Sequence, residues 1–357
     1  MTGNETYKVD ALRLRDCVTG IMAAKGVPVD EAAVVADSLV DADLTNVQSH
    51  GVQRVSFYTN GIDKGGMNPV CDLKLLSDSP SCAAYDAQKA LGIVSAYKAM
   101  QIAIEKAKQT GIGMVTVSNS NHCSRVAYFI RMATEANMIG MACSNAPKSM
   151  PPWGSREKYF GTNPFAIGAP TSGDPVIVDM ATSVVARGKI ILADKKGVSI
   201  PEGWAIDVDG NPTTDAAKAL EGCVLPFGGA KGSGIAMMVD VFSGILAGAA
   251  FGGHISNPFA HPEECMNCGH ALMAIDISRF QNVDEFIGKM DLFKEEIKGL
   301  KKASGVEQIL MPGENSSNNR KKNLANGIQL PVAVYRELEE LSDQLGLVFS
   351  IRLDDQA

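Results

Sequence analysis

No G-x-G-x-x-G follows a strand-like run anywhere in this chain of 357 residues, so the glycine fingerprint of the common dinucleotide-binding fold is missing. "GIGMVT" lacks the third glycine, and "GGAKGSG" (228–234) has the wrong spacing. The latter is no P-loop either, because its lysine is followed by glycine. Positive charge is also short. Thirty-three Lys and Arg stand against 40 Asp and Glu, a net charge of −7, which argues against a general binder of nucleic-acid backbones. The basic run Arg320-Lys321-Lys322 reads equally well as a solvated face. Only one apolar run approaches membrane length, "GIAMMVDVFSGILAGAAFG" (234–252), and Asp240 within it favours a helix buried in protein. The opening "MTGNETYKVDALRLRD" has no apolar signal-peptide core. Eight cysteines without framework spacing suggest free thiols in a reducing compartment. The expectation is a cytoplasmic, soluble protein with no membrane and no nucleic-acid partner.

What is present is an ordinary globular composition, 45% hydrophobic and 20% charged, in a chain long enough for two domains. Residues 8–45 read as two helices, one ending at Gly26. "SHGVQRVSFYTNGIDKGG" reads as helix until Gly65-Gly66 stops it. From Asn68 the texture changes. "CDLKLLSD" and "CAAYDAQ" look like strands, and a helix is expected over 91–109. Further strand-like runs, "GIGMVTVSNS", "MIGMACS", "PFAIGAP", "PVIVDM" and "HALMAIDISRF", empty into polar loops, with a helix at about 125–137. Residues 234–252 are expected to form a buried helix. "VDEFIGKMDLFKEEIKGLKKA" reads as an amphipathic helix, and "PVAVYRELEELSDQLG" as a last helix before a final strand. Alternation of this kind indicates an α/β sheet with its chemistry at strand ends.

Four stretches carry groups that chemistry could use. "NVQSHGVQRV" strings Ser49, His50 and Arg54 over six residues. Arginine binds carboxylates through two parallel donors, histidine moves protons near neutral pH, and serine orients oxygen atoms. One helical turn from His50 to Arg54 would aim both into one cleft. "SNSNHCSR" puts His122 in a polar loop at a strand end, where a scaffold fixes the ring and leaves it reachable. A hydrogen-bonded bystander histidine is the plainer account. Lys231 and the backbone N–H groups of "GGAKGSG" would suit a phosphate or carboxylate, or form no more than a flexible turn. "HPEECMNCGH" offers His261, Cys265, Cys268 and His270, but four ligands crowded into ten residues make tetrahedral zinc awkward. No metal is expected.

Several segments resemble one family in order: "SHGVQR", "NSNH", "PPWG" followed by "GTNPFAIGAP", "VDMATSVVARGKI", "IPEGWAIDVDGNPTTD", "LPFGGAKGSG" and "MPGE". They are similar to the type-2 malate/L-lactate dehydrogenases, which include ureidoglycolate dehydrogenase, diketogulonate reductase and sulfolactate dehydrogenase. The resemblance runs from about residue 8 to about residue 330. It implies a non-Rossmann mixed-sheet cofactor region, residues 73–214 with 262–317. It also implies a helical substrate and dimerisation region from both chain ends, residues 1–72 and 318–357 with part of 215–260. It implies NAD or NADP near Asn145, Ala146, Asp179, Met180, Ala181, Lys231, Gly232, Gly313 and Glu314. A small carboxylic acid would lie near Ser49, Arg54, Tyr58 and Thr162, with His122 and His50 as proton-transfer candidates. The implied protein is a homodimeric 2-hydroxy acid dehydrogenase of malate/lactate type. Ureidoglycolate dehydrogenase and diketogulonate reductase are alternatives, since Arg125 and Lys-Gly-Ser-Gly are reminiscent of the latter. A small-acid or nucleotide-binding protein without activity is the rival from another class.

Overall fold

Asp10 starts the ordered helical material. Its carboxylate accepts from the backbone N–H groups of Leu12 and Arg13 at 2.9 Å, satisfying two donors that a helix start leaves open. The computed structural model describes residues 5–353. Strand β1 (Thr6–Val9) precedes helices α1 (Ala11–Ala24), α2 (Val29–Leu44) and α3 (Val55–Lys64). Gly65, in the left-handed region at φ 82°, closes α3 where the sequence places a stop. Then come β2 (Lys74–Asp78), β3 (Cys82–Asp86), α4 (Gly92–Thr110), β4 (Ile112–Ser120), α5 (Ala127–Glu135), β5 (Met138–Ser144), β6 (Phe165–Ala169) and β7 (Val176–Met180). A smaller lobe follows: α6 (Arg187–Lys196), β8 (Ala205–Ile206), β9 (Pro212–Thr213), α7 (Ala216–Glu221) and β10 (Cys223–Val224). The chain closes with α8 (Ala230–Val239), β11 (Cys268–Asp276), α9 (Val283–Gly299), α10 (Glu314–Asn326), β12 (Ile328–Pro331) and α11 (Val332–Gln344).

The main sheet has the order β2-β3-β4-β11-β5-β6-β7, and only β3 and β4 run parallel. This is the mixed α/β sheet expected, without a doubly wound switch point. Helices α4 and α5 cover one face, and the segment after α8 lies on the other. One apolar core runs from Leu14 and Leu39 of the helical end through Met100 and Val115 to Phe129 and Ala166, and includes Leu338 and Ile351. The lobe has a core of its own, built on Met150, Phe160, Ile190, Ala205 and Val224. No helix among the described residues is long and apolar enough to cross a membrane.

Three local expectations need correction. The helix expected over "SHGVQRV" is two single 3₁₀ turns, Gln48–His50 and Val52–Arg54, broken by extended backbone at Gly51. The break is caused by Asp43 at the end of α2. Its carboxylate accepts from Val52 N–H at 2.8 Å, and a Cβ on Gly51 would stand 2.1 Å from the same carboxylate. The helix expected over 234–252 starts at Ala230, passes into a π turn at Asp240–Ile245, and is not buried all round: Met237, Ile245 and Leu246 are half-exposed. The final strand is reduced to a bridge between Arg352 and Val9.

The sheet and α4 touch closely where β4 carries no side chain. A Cβ on Gly113 would lie 1.9 Å from the carbonyl oxygen of Ala103 in α4. Gly113→Ala must therefore push α4 off the sheet and should cost at least the ~1–3 kcal/mol usual for overpacking. A urea titration showing an unchanged midpoint would contradict this packing.

Candidate active site

The sheet topology delivers the site. β11 lies between β4 and β5, antiparallel to both, so the C-terminal ends of β4 and β5 share an edge with the start of β11. Antiparallel pairing of β6 and β7 brings the start of β6 and the end of β7 to that edge as well. His122, Asn145–Ala146, Thr162 and Asp179–Ala181 thus emerge together from distant parts of the sequence. A cavity of about 120 Å³ opens there, lined by His50, His122, Asn145, Ala146, Thr162 and Phe259 among others.

Both histidines are held from behind. His122 Nδ1 lies 2.7 Å from the hydroxyl of Tyr58, which is fully buried. A hydroxyl both donates and accepts, so Tyr58 can hold Nδ1 in either protonation state and leave Nε2 free. Tyr58, implied as a substrate contact, therefore stands behind the ring. His50 Nδ1 lies 2.9 Å from Ser49 Oγ, and the His50 carbonyl accepts from Ser124 Oγ at 2.8 Å. The two imidazoles stack at 5.7 Å with 26° between planes. Burial, then the charge of Arg54 and that of Arg125, pull the His50 pKa down to about 4. Burial, followed by His50 and Arg54, holds His122 well below its ordinary range. Both rings rest neutral at pH 7.

Arg54 completes the group. Its Nε donates to the Ser49 carbonyl at 2.8 Å, and its guanidinium lies 5.3 Å from the centre of the Phe259 ring. Among the described residues no carboxylate pairs with it, although it is partly buried. Arg125 and Arg131, also largely buried, pair with Asp179 and Asp41. Ser49, His50 and Arg54 do converge, but through the Gly51 break rather than along one helical turn.

Most of the residues implied for a cofactor are arranged around the same edge, whereas Gly313 and Glu314 lie beside the start of β7. Ala146 and Thr162 line the cavity, while the Asn145 side chain is turned into the protein, donating to the Ala250 carbonyl at 2.8 Å. The Asp179 carboxylate accepts from Arg125 Nε at 2.9 Å, and Met180 is partly exposed. Beyond Ala181, Thr182 donates through N–H and hydroxyl to the Thr162 carbonyl. Its own carbonyl accepts from Phe227 N–H at 3.0 Å, tying this loop to the opening of α8. There Lys231 is exposed with no acidic partner among the described residues. A Cβ on Gly232 would lie 2.1 Å from the Phe227 carbonyl. Gly313 packs on Ile177 of β7 and, with Arg125, Ser316 and Arg320, lines a second cavity of about 360 Å³. Glu314 is engaged by Lys298 and caps Met311 N–H.

The residues weighed for zinc go separate ways. Cys268 is buried at the start of β11, and Cys265 Sγ meets Asn119 and Ser120. His261 is exposed beside Glu263. His270 is buried between the hydroxyls of Ser144 and Ser120, both at 2.9 Å. Sequence reasoning missed Phe57, Ser124, Asn163 and Phe259 around the pocket; none has a local pattern that separates it from loop or core.

Comparison with known proteins agrees over nearly the whole chain. The malate/L-lactate dehydrogenase family matches residues 9–339. L-sulfolactate dehydrogenase of Methanocaldococcus jannaschii is 41% identical over 92% of this chain and 95% of its own. The structure of that organism's sulfolactate dehydrogenase superposes with a TM-score of 0.90, covering 95% of this chain and 98% of the other. Malate dehydrogenase from Pyrococcus horikoshii gives 0.89 at 37% identity, covering 98% and 99%. Ureidoglycolate dehydrogenase (NAD(+)) of Escherichia coli is 34% identical over 95% of this chain and 96% of its own. The chain belongs to the malate/L-lactate dehydrogenase family.

Three of the five histidines, His50, His122 and His270, have pKa values pushed down first of all by burial. Their imidazole resonances in an NMR titration should stay at neutral shifts from pH 8 down to pH 6. Ordinary titration of either pocket histidine near pH 6.5 would contradict the burial described.

Proposed function

We propose that this chain is an NAD(P)-dependent oxidoreductase of malate type, interconverting a small 2-hydroxy acid and its 2-keto acid. The observation that carries the reading is Arg54: a partly buried guanidinium without a carboxylate, beside two stacked neutral histidines. A cation left unpaired at that depth costs folding free energy, and a substrate carboxylate is the anion that would relieve it. Names of relatives support the choice of acid, since sulfolactate and malate dehydrogenases are among them. Relatives named for NAD(+) and for NADP(+) both occur, which supports the cofactor class without choosing between the two.

The residues present suit a nicotinamide dinucleotide. Lys231 sits in the first turn of α8, where aligned N–H groups already favour an anion and a lysine alone is unfavourable. Together they suit a pyrophosphate, with Gly232 keeping the turn close to Phe227. The Ala146 backbone, Asp179–Ala181 and Gly313 would serve the rest. Bound there, the dinucleotide supplies or accepts the hydride. The chain's own task is the proton: reduction of the keto carbon leaves an alkoxide to be protonated, and oxidation must remove that proton. His122 is assigned this role, because Tyr58 fixes its Nδ1 and leaves Nε2 for the substrate oxygen. General acid–base help of this kind is worth about two to four orders of magnitude. His50, aligned by Ser49, orients the acid beside Arg54, and Thr162 borders the same space. The substrate's negative charge would raise the pKa of both histidines, so proton uptake accompanies binding.

The test is the absorbance of NADH and NADPH with a panel of 2-keto acids. Wild-type protein should turn over a dicarboxylic keto acid. His122→Ala should lose nearly all turnover, about a hundredfold or more, yet bind dinucleotide. Arg54→Lys should mainly raise KM, because it keeps the charge and loses the two-pronged grip. Dinucleotide binding without oxidation by any keto acid would favour the non-enzymatic rival.

Assembly forms part of the same proposal. Met114, Met141, Ile167 and Met273 on one face of the sheet, with Met238 and Phe242 beside them, line an apolar groove of about 170 Å³. Such a face suits a second copy of the chain, and the active species is expected to be a homodimer. Light scattering that finds a fully active monomer would remove it.

A further inference from the structure

The pocket wall formed by Asn145, Ala146 and Thr162 is held from behind by one carboxylate. α8 ends at Val239, and the next six residues, Asp240–Ile245, form a π turn. Such turns insert an extra residue into a helix and often occur at functional sites. Asp240 is buried, and no cation pairs with it among the described residues. Three donors reach it instead: Asn145 Nδ2 at 3.0 Å, Asn163 Nδ2 at 3.2 Å and Gly252 N–H at 3.3 Å.

The two amides pass the constraint on to the wall. Asn163 Oδ1 accepts from Ala146 N–H at 3.1 Å, and Asn145 Oδ1 accepts from Gly269 N–H at 2.9 Å at the start of β11. The loops after β5 and before β6 are therefore cross-tied through a single side chain. An ionised carboxylate suits the set because it only accepts, whereas a carboxamide must turn a donor toward one of the two asparagines. The turn is also pressed onto the wall: a Cβ on Gly244 would lie 2.9 Å from Asn145 Nδ2.

We propose that Asp240 is a positioning residue, setting the distance between the Asn145–Thr162 wall and the stacked His50 and His122. The inference rests on reading the cavity between them as the active site. Asp240 touches neither substrate nor cofactor in this account. It acts through Asn145 and Asn163.

The experiment is Asp240→Asn in the full chain, with dinucleotide affinity read by NADH or NADPH fluorescence and keto-acid KM by steady-state kinetics. Both are normalised to folded protein by near-UV circular dichroism. Displacement of the wall should raise dinucleotide Kd and acid KM about tenfold or more, and slow single-turnover hydride transfer at saturation. Wild-type Kd and KM in the folded fraction would overturn the proposal, whatever the loss of thermal stability. Gly244→Ala pushes the Asn145 amide without altering charge. It should move the same constants in the same direction, and it decides alone if Asp240→Asn does not fold. Wild-type turnover in His122→Ala would instead remove the active-site reading. A dead His122→Ala beside an Asp240→Asn with wild-type constants removes only the positioning role.

Discussion

The placement of β11 between β4 and β5 is the constraint on which the site depends, because it seats the start of a strand from much later in the chain between the ends of those two. A doubly wound sheet gathers its loops by keeping every strand parallel. Here one antiparallel strand at the centre does the gathering, and β6 and β7 extend it by hairpin logic. The close approach at Gly113 locks α4 to that strand set from one side, and the π turn presses on the other. Loops leaving such an edge are fixed at one end by a ladder of backbone hydrogen bonds. That accounts for short polar segments holding His122 and Ala146 across a narrow cavity.

Electrostatics then turns geometry into chemistry. The arginines behind the site are matched with carboxylates: Arg125 with Asp179, and both Arg131 and Arg320 with Asp41. Arg54 is the exception, held by a carbonyl and an aromatic face. Its field and the burial of the rings act in the same direction, keeping two adjacent histidines uncharged. The cavity lining carries no carboxylate among the described residues. On the proposed reading, an entering substrate carboxylate would alter all three groups at once, completing the arginine and making an imidazolium less costly. Binding of the acid and readiness to move a proton are thus coupled by the same few ångströms.

Much of this was legible in the sequence, and the limits were physical. Helices with strong local signals were found where expected: Asp10 caps α1, Gly65 closes α3, and α4 and α5 fall at Gly92–Thr110 and Ala127–Glu135. Strand-like runs became strands because period and composition agreed. The failures involve partners outside the local pattern. Nothing between residues 46 and 55 announces that Asp43 will split the turn at Gly51. The π turn depends on packing against Asn145 and β11, and the lobe of α6, α7 and three two-residue strands has almost no periodicity to read. The family resemblance implies Tyr58 as a residue near the substrate, and no local pattern shows what its hydroxyl meets. Its hydroxyl is committed to His122, sixty-four positions away.

The missing glycine fingerprint acquires a physical explanation from the same architecture. In the doubly wound fold, glycines let a helix N-terminus approach a pyrophosphate at the end of the first strand. On the proposed reading that task falls to α8, which follows a lobe rather than a strand and needs a different device to reach the edge. The device is the double tie of Thr182, which donates to Thr162 and accepts from Phe227. It draws the opening of α8 to the loop after β7, and Gly232 lets the backbone close onto Phe227. On the same reading Lys231 would supply the charge that a longer run of free N–H groups would otherwise have to provide. A lysine in the first turn opposes the helix dipole, and on the proposed reading an anion between them would relieve that opposition. Glycines are still required, but their spacing is set by Phe227 and Thr182, which no fingerprint built on a strand–turn–helix unit could encode.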